Sequence, residues 1–140
     1  MTVRVERSFV LAASPERVWE FIADPGKRAA AISVVDEWEQ EGEETIWHLD
    51  LPIPLIRKAF SVRTRDVVRE EPERVEFVGR SNVMQVRGWH VLEETADGTR
   101  LTNRFVVDGR VPGVEHFFER NLDRELDNLR TALERALSTG

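Results

Sequence analysis

Residues 112–137 read PGVEHFFERNLDRELDNLRTALERAL, and the helix written there sets the architecture of the chain. Val114, Phe118, Leu122, Leu126, Leu129, Leu133 and Leu137 recur at spacings of four, four, four, three, four and four. That is one apolar stripe on an α-helix of about seven turns. Glu119, Arg120, Asp123, Arg124, Asp127, Arg130, Glu134 and Arg135 occupy its other faces. A helix this long with one apolar side needs a broad apolar partner, and the residues before it supply one.

From residue 34 to 110 the apolar period falls to two, the period of strands. Gly42 separates candidate strands over about 34–41 and 43–51. Pro52-Ile53-Pro54 cannot continue as a central strand, because proline has no N–H for the ladder. Phe60, Val62, Thr64, Asp66 and Val68 then share one face, opposite Arg63, Arg65 and Arg69. Glu71-Pro72-Glu73 turns the chain into a short strand with Val75, Phe77 and Gly79. Residues 83–95 and 99–109 flank Ala96-Asp97-Gly98, and Asp-Gly is a strong hairpin signal. These lengths and short connections predict an antiparallel meander.

At the N-terminal side, Val3, Val5, Phe9 and Leu11 alternate over 2–11, a strand with one buried face interrupted at Arg7. Ser14-Pro15 is an N-cap followed by a first-turn proline, and Asp24-Pro25 repeats the pattern. Two short helices follow from this, the first ending near Ala23 and the second near Ser33. The order is β-α-α-β6-α, an α+β chain. The long helix is expected to cover the concave face of the sheet.

The 140 residues fit a single domain, 1–140. A hydrophobic fraction of 41% beside 33% charged residues is that of a folded soluble chain. No apolar run reaches the ~18–20 residues of a spanning helix. MTVRVERSFVL has no basic segment followed by an apolar block, so the chain reads as cytoplasmic. Cysteine is absent, which excludes disulfides and thiol catalysis. His48, His90 and His116 lack metal-ligand spacing, so no metal or other cofactor is expected. A net charge of −6 argues against a nucleic-acid partner. The Arg63/Arg65/Arg69 stripe is followed at once by Glu70, Glu71 and Glu73, and reads as a solvated ion-pair face. Of 20 basic residues only Lys27 and Lys58 are lysines, a bias with no evident functional meaning.

Three stretches resemble the START-like (SRPBCC) superfamily, which includes polyketide cyclases, Bet v 1-like plant proteins, lipid-transfer START domains and coenzyme Q-binding proteins. They are Phe9 to Pro25, with its Val18-Trp19 and Asp24-Pro25; Gly88-Trp89 followed by Asp97-Gly98-Thr99-Arg100-Leu101-Thr102; and the long helix after Val111-Pro112-Gly113. The resemblance spans essentially the whole chain. It implies a helix-grip fold, in which a curved antiparallel sheet wraps around the long helix and leaves a hydrophobic cavity between them. It also implies a small hydrophobic or amphipathic ligand: a lipid, a quinone or a polyketide-like molecule. Fold alone does not choose the ligand or establish an enzyme.

In a helix-grip the core face and the cavity lining are one surface. Trp47, Leu49, Phe60, Val62, Phe77, Trp89, Phe105, Phe118, Leu122 and Leu126 are therefore the candidate ligand-binding residues. No Gly-x-Ser-x-Gly elbow is present, and Ser61 and Ser81 read as strand-edge polar residues. The family's cyclases and dehydratases use a few polar residues inside an apolar cavity, and the candidates here are Asp66, His90, Asn103 and Arg104. Asp66 is either a buried carboxylate, with a raised pKa or an arginine partner, or a solvated group where its strand leaves the sheet. His90 lies on a strand whose inward face is either Met84/Val86/Gly88/His90/Leu92 or the side of Trp89 and Val91. The Pro52–Ile56 segment is apolar for a loop. It reads as a cavity lip or contact surface for a membrane or protein partner, or as a loop tucked against the sheet edge. Three functions remain open: ligand binding without chemistry, a cyclase or dehydratase, and an accessory or chaperone-like protein for a membrane or redox enzyme. Oligomeric state is not legible.

Overall fold

The computed structural model describes residues 2–53 and 59–139. Its elements are β1 (Thr2–Leu11), α1 (Pro15–Ile22), α2 (Pro25–Ala30), β2 (Val35–Glu41), β3 (Glu44–Leu49), β4 (Phe60–Glu70), β5 (Arg74–Arg80), β6 (Met84–Thr95), β7 (Gly98–Gly109) and α3 (Val114–Thr139). The strands form a curved antiparallel sheet in the order β1-β7-β6-β5-β4-β3-β2. Each strand from β2 to β7 pairs with its sequence neighbour, and β1 returns to the far edge beside β7. This is the helix-grip arrangement.

Local chemistry explains the boundaries. Ser14 Oγ accepts from Arg17 N at 3.4 Å and Pro15 opens α1. Asp24 Oδ1 accepts from Gly26 N at 2.9 Å and Lys27 N at 3.2 Å to start α2. That helix stops at Ala30 rather than near Ser33: Ala31 N and Ile32 N close tighter turns onto Arg28 O and Ala29 O, and Ser33 N donates to Glu125 Oε1 at 3.0 Å. Strand β3 ends at Leu49, two residues before the expected end, where Ile53 N bonds Leu51 O at 2.8 Å and turns the chain. The β6–β7 hairpin turns at Gly98, with φ +142°. A Cβ there would also lie 2.0 Å from Leu11 O, so only glycine fits.

One expected facial assignment is overturned. Arg69 does not join Arg63 and Arg65 on the outer face. The register slips between Asp66 and Val68, so the chain carries one extra residue there. Val67 is left 44% exposed, and Arg69, opposite buried Val75, returns to the face of Asp66.

The α3 stripe from Val114 to Leu133 is buried, with Leu137 half-buried. The closest backbone approaches of α3 are to β1, β7 and α1. Arg7 of β1 pairs with Asp123 of α3 at 2.6 Å, and Arg17 of α1 donates to Leu137 O at 3.0 Å. The helix is thus seated at one side of the sheet. Large rings and aliphatic side chains fill the space between it and the middle strands.

Candidate functional site

That space holds a small interior cavity of about 50 Å³. From α3 it is lined by Phe118, Leu122, Leu126, Leu129 and Glu125; from the sheet by Trp47, Leu49, Phe77, Met84, Val86, His90, Phe105 and Val107. Arg28, Ile32 and Val34 complete the wall. Such a volume holds a few waters at ~10–15 Å³ each, far below the ~300 Å³ of a typical small-molecule site.

Phe77 is the hub of the wall. Its ring centroid lies 5.7 Å from that of Trp47, 6.0 Å from Phe105 and 6.1 Å from His90, to which it is nearly parallel at 19°. His90 meets Phe105 edge-on at 5.7 Å. The inward face of β6 is the one carrying Met84, Val86, Gly88, His90 and Leu92. Gly88 sits opposite Phe77 in the ladder, and a Cβ there would come within 2.1 Å of the ring.

His90 is 1% exposed. Its Nδ1 is 2.8 Å from Asn103 Oδ1 on β7, while Nε2 has no hydrogen-bond partner. Burial first, and then the positive charge of Arg28, lower its pKa from 6.5 to about 3, against a smaller opposing effect of the Asn103 bond. The ring is therefore neutral near pH 7. Asn103 Nδ2, beside it, is also buried without a partner. The indole Nε1 of Trp47 is likewise buried without a partner.

Asp66 is a buried carboxylate with two arginine partners. Its Oδ1 accepts from Arg28 Nη2 and its Oδ2 from Arg69 Nη1 at 2.6 Å. The side chains of Arg28 and Asp66 are 7% and 9% exposed. Arg28 also donates to Ile22 O at 3.1 Å and stands 5.3 Å from the Phe77 ring centroid. Burial lowers its pKa, and the charge of Asp66 opposes that effect. Opposite, Glu125 is 6% exposed. It accepts from Ser33 N and Oγ and from Asn128 Nδ2 at 2.8–3.0 Å, tying the α2–β2 connection to α3. Among the described residues, no three histidine or acidic side chains cluster so as to hold a metal.

Several expected positions lie elsewhere. Trp89 is on the outer face, between Arg87 and Arg104, whose guanidinium carbons are 4.9 and 5.0 Å from its ring centroid. Arg104 is therefore also outside the cavity. Strand alternation requires this once His90 faces inward. Val62 is fully buried and Phe60 partly so, but both pack beside the cavity without lining it. Asp66 reaches the cavity only through Arg28. Of the Pro52–Ile56 segment, residues 54–56 lie outside the described residues. Ile53 is buried and its side chain meets Gly113 at the start of α3, so this part is tucked in.

Arg28 and Glu125 were not anticipated. Glu125 had a signal: it stands three residues after Leu122 and four before Leu129, on the apolar stripe itself. Arg28 had only an indirect one, the need of a buried Asp66 for a positive partner.

Comparison with known proteins places this geometry in a family. Residues 2–134 match the family described as polyketide cyclase/dehydrase and lipid transport. No curated protein matches the chain. Among solved structures, a conserved protein from Geobacillus kaustophilus is similar with a TM-score of 0.79 at 12% identity, covering 98% of this chain and 96% of that one. A START superfamily protein from Mycobacterium smegmatis gives 0.73 at 13% identity, covering 98% and 99%. The Zhui aromatase/cyclase from a Streptomyces species gives 0.69 at 16% identity, covering 98% and 96%. These likenesses show a shared fold. The match over residues 2–134 establishes that the chain belongs to the polyketide cyclase/dehydrase and lipid-transport family.

Proposed function

We propose that the chain binds a small, uncharged, mainly apolar molecule between the sheet and α3, without chemical conversion. The observation that carries this reading is the composition of the cavity wall. It is aromatic and aliphatic apart from His90, Arg28 and Glu125. Both charged groups are already engaged, Arg28 by Asp66 and Glu125 by Ser33 and Asn128. A charged ligand would find no free counter-charge there. A cavity of about 50 Å³ is smaller than any such apolar molecule, so binding requires flexible lining residues such as Met84 to move.

Catalysis has less support. A histidine with a pKa of about 3 is a weak base at neutral pH, and Asp66 is held by two arginines. The likeness to an aromatase/cyclase is one of fold. An accessory role at a membrane draws on the Pro52–Ile56 segment, whose residue Ile53 is buried. No helix among the described residues is long and apolar enough to cross a membrane.

Native mass spectrometry of the protein purified from its own host tests the reading. A discrete noncovalent adduct is expected. It should be absent from a folded Leu126→Phe variant, whose added volume fills the cavity. Adduct-free protein under all growth conditions would refute it.

A further inference from the structure

The convex face of the sheet, turned away from α3, carries an ordered array of arginines. The strand register sets Arg65, Val78, Arg87, Val106 and Arg4 in one row across β4, β5, β6, β7 and β1. Arginine and valine alternate, so neighbouring arginines of the row stand two strand spacings apart, about 9–10 Å. The next row on one side pairs Trp89 with Arg104, and the row on the other pairs Arg80 with Gln85. All five arginines are exposed. Of the expected ion-pair face, Arg63 is paired, with Glu44 at 3.1 Å. Among the described residues, Arg4, Arg65, Arg80, Arg87 and Arg104 form no ion pair with a carboxylate. In a chain of net charge −6, this is a local concentration of unneutralised positive charge. Arg87 and Arg104 also rest against the Trp89 ring, at 4.9 and 5.0 Å from its centroid. That contact limits their freedom and lowers the cost of ordering them around an anion.

We infer that this face docks a short acidic segment of a partner protein, whose carboxylates pair with Arg65, Arg87, Arg104 and the arginines beside them. The inference is independent of the cavity and of what it binds. Guanidinium groups match carboxylates with two parallel hydrogen bonds, which gives the pairing direction as well as charge. Length follows from the row: four strand spacings span about 19 Å, or about six residues of extended chain. The array is also closed at its margins by carboxylates. Glu44 faces Arg65 from β3, Glu6 faces Arg104 from β1, Glu76 faces Trp89 from β5 and Asp108 follows Gln85 on β7. A long polyanion running past the array would meet them, whereas a short segment would not. A flat bilayer touches only part of a convex face. The Trp89 ring already bears two guanidinium groups, so it is no open platform for the stacking of nucleic-acid bases.

Two probes of equal charge separate the partner classes: hexaglutamate capped at both ends, and an oligonucleotide of seven thymidines, which has six phosphates. Each is titrated into the wild-type protein at low salt and followed by NMR, with the Trp89 indole resonance assigned through Trp89→Phe. Hexaglutamate should move that resonance and the amides of β4 to β7, and should bind more tightly than the oligonucleotide. The triple variant Arg65→Gln, Arg87→Gln, Arg104→Gln should weaken hexaglutamate binding about tenfold. Arg110→Gln, Arg120→Gln, Arg135→Gln removes the same charge from outside the array and should change it less than about twofold. Equal weakening by the two variants would show that bulk charge alone is at work and would overturn the inference. So would the absence of any shift with hexaglutamate, or tighter binding of the oligonucleotide. Pelleting with phosphatidylserine-containing vesicles that excess hexaglutamate fails to prevent would assign the face to a membrane and overturn it too. The wild-type titrations decide even if a variant does not fold.

Discussion

The ring of Phe77 lies on the backbone of Gly88, so close that a Cβ at position 88 would be 2.1 Å from Phe77 Cε1. The two residues are paired across β5 and β6. The missing side chain on one strand makes room for the largest ring on the other, and that ring organises Trp47, His90 and Phe105 around the cavity.

Gly88→Ala should therefore displace the Phe77 ring. Overpacking of this kind costs ~1–3 kcal/mol. A smaller side chain at 77 relieves it, so in a background already carrying Phe77→Leu the same alanine should cost clearly less. A double-mutant cycle from urea unfolding measures the coupling. Additive costs would show that the close approach is not what makes glycine necessary at 88.

The Arg28–Asp66 pair behaves as a buried unit, with Arg69 as its half-exposed third member. Asp66→Asn leaves the Arg28 charge buried with only the half-exposed Arg69 and distant carboxylates near it. Breaking such a pair costs ~3–5 kcal/mol. Replacing both members, Arg28→Met with Asp66→Leu, should recover most of that loss, since apolar substitutes of similar volume are often neutral there. Unfolding in urea gives both values. If Asp66→Asn proves as mild as a surface change, the pair does not act as a closed unit.

The sequence was most legible where periodicity had one solution. The α3 stripe, the two proline-led helices and the Asp97-Gly98 hairpin follow from spacing and capping chemistry alone. The β6 face was ambiguous because both sides carry apolar residues. Trp89 is as hydrophobic as any core residue, and only the packing of arginines from two strands onto its ring explains its outward position. Arg69 defeated simple alternation because a one-residue bulge reverses every later side chain, and nothing in Asp66-Val67-Val68 announces one. The cavity's polar residues divide in the same way. His90 and Asp66 were visible as polar breaks in apolar faces. Arg28 sits in a six-residue helix too short to show a face, and its burial depends on contacts with distant strands.

His90 also sets an expectation for pH. Its pKa is lowered on folding, so the folded protein holds the ring neutral while the unfolded chain protonates it from about 6.5 downward. The resulting stability is fully present above that value and is lost as the pH falls toward about 3. Arg28 adds to the effect from α2, Asn103 opposes it from β7, and Glu125 on α3 is the carboxylate of the same wall. Between pH 7 and pH 5 this one residue should remove about 2 kcal/mol of folding free energy. His90→Gln retains a polar side chain but cannot titrate. Whatever it costs at pH 7, that cost relative to the wild type should shrink by about 2 kcal/mol at pH 5. Urea unfolding of both proteins at the two pH values measures the difference. Parallel losses would mean that the imidazole is protonated in the folded state as readily as in the unfolded chain.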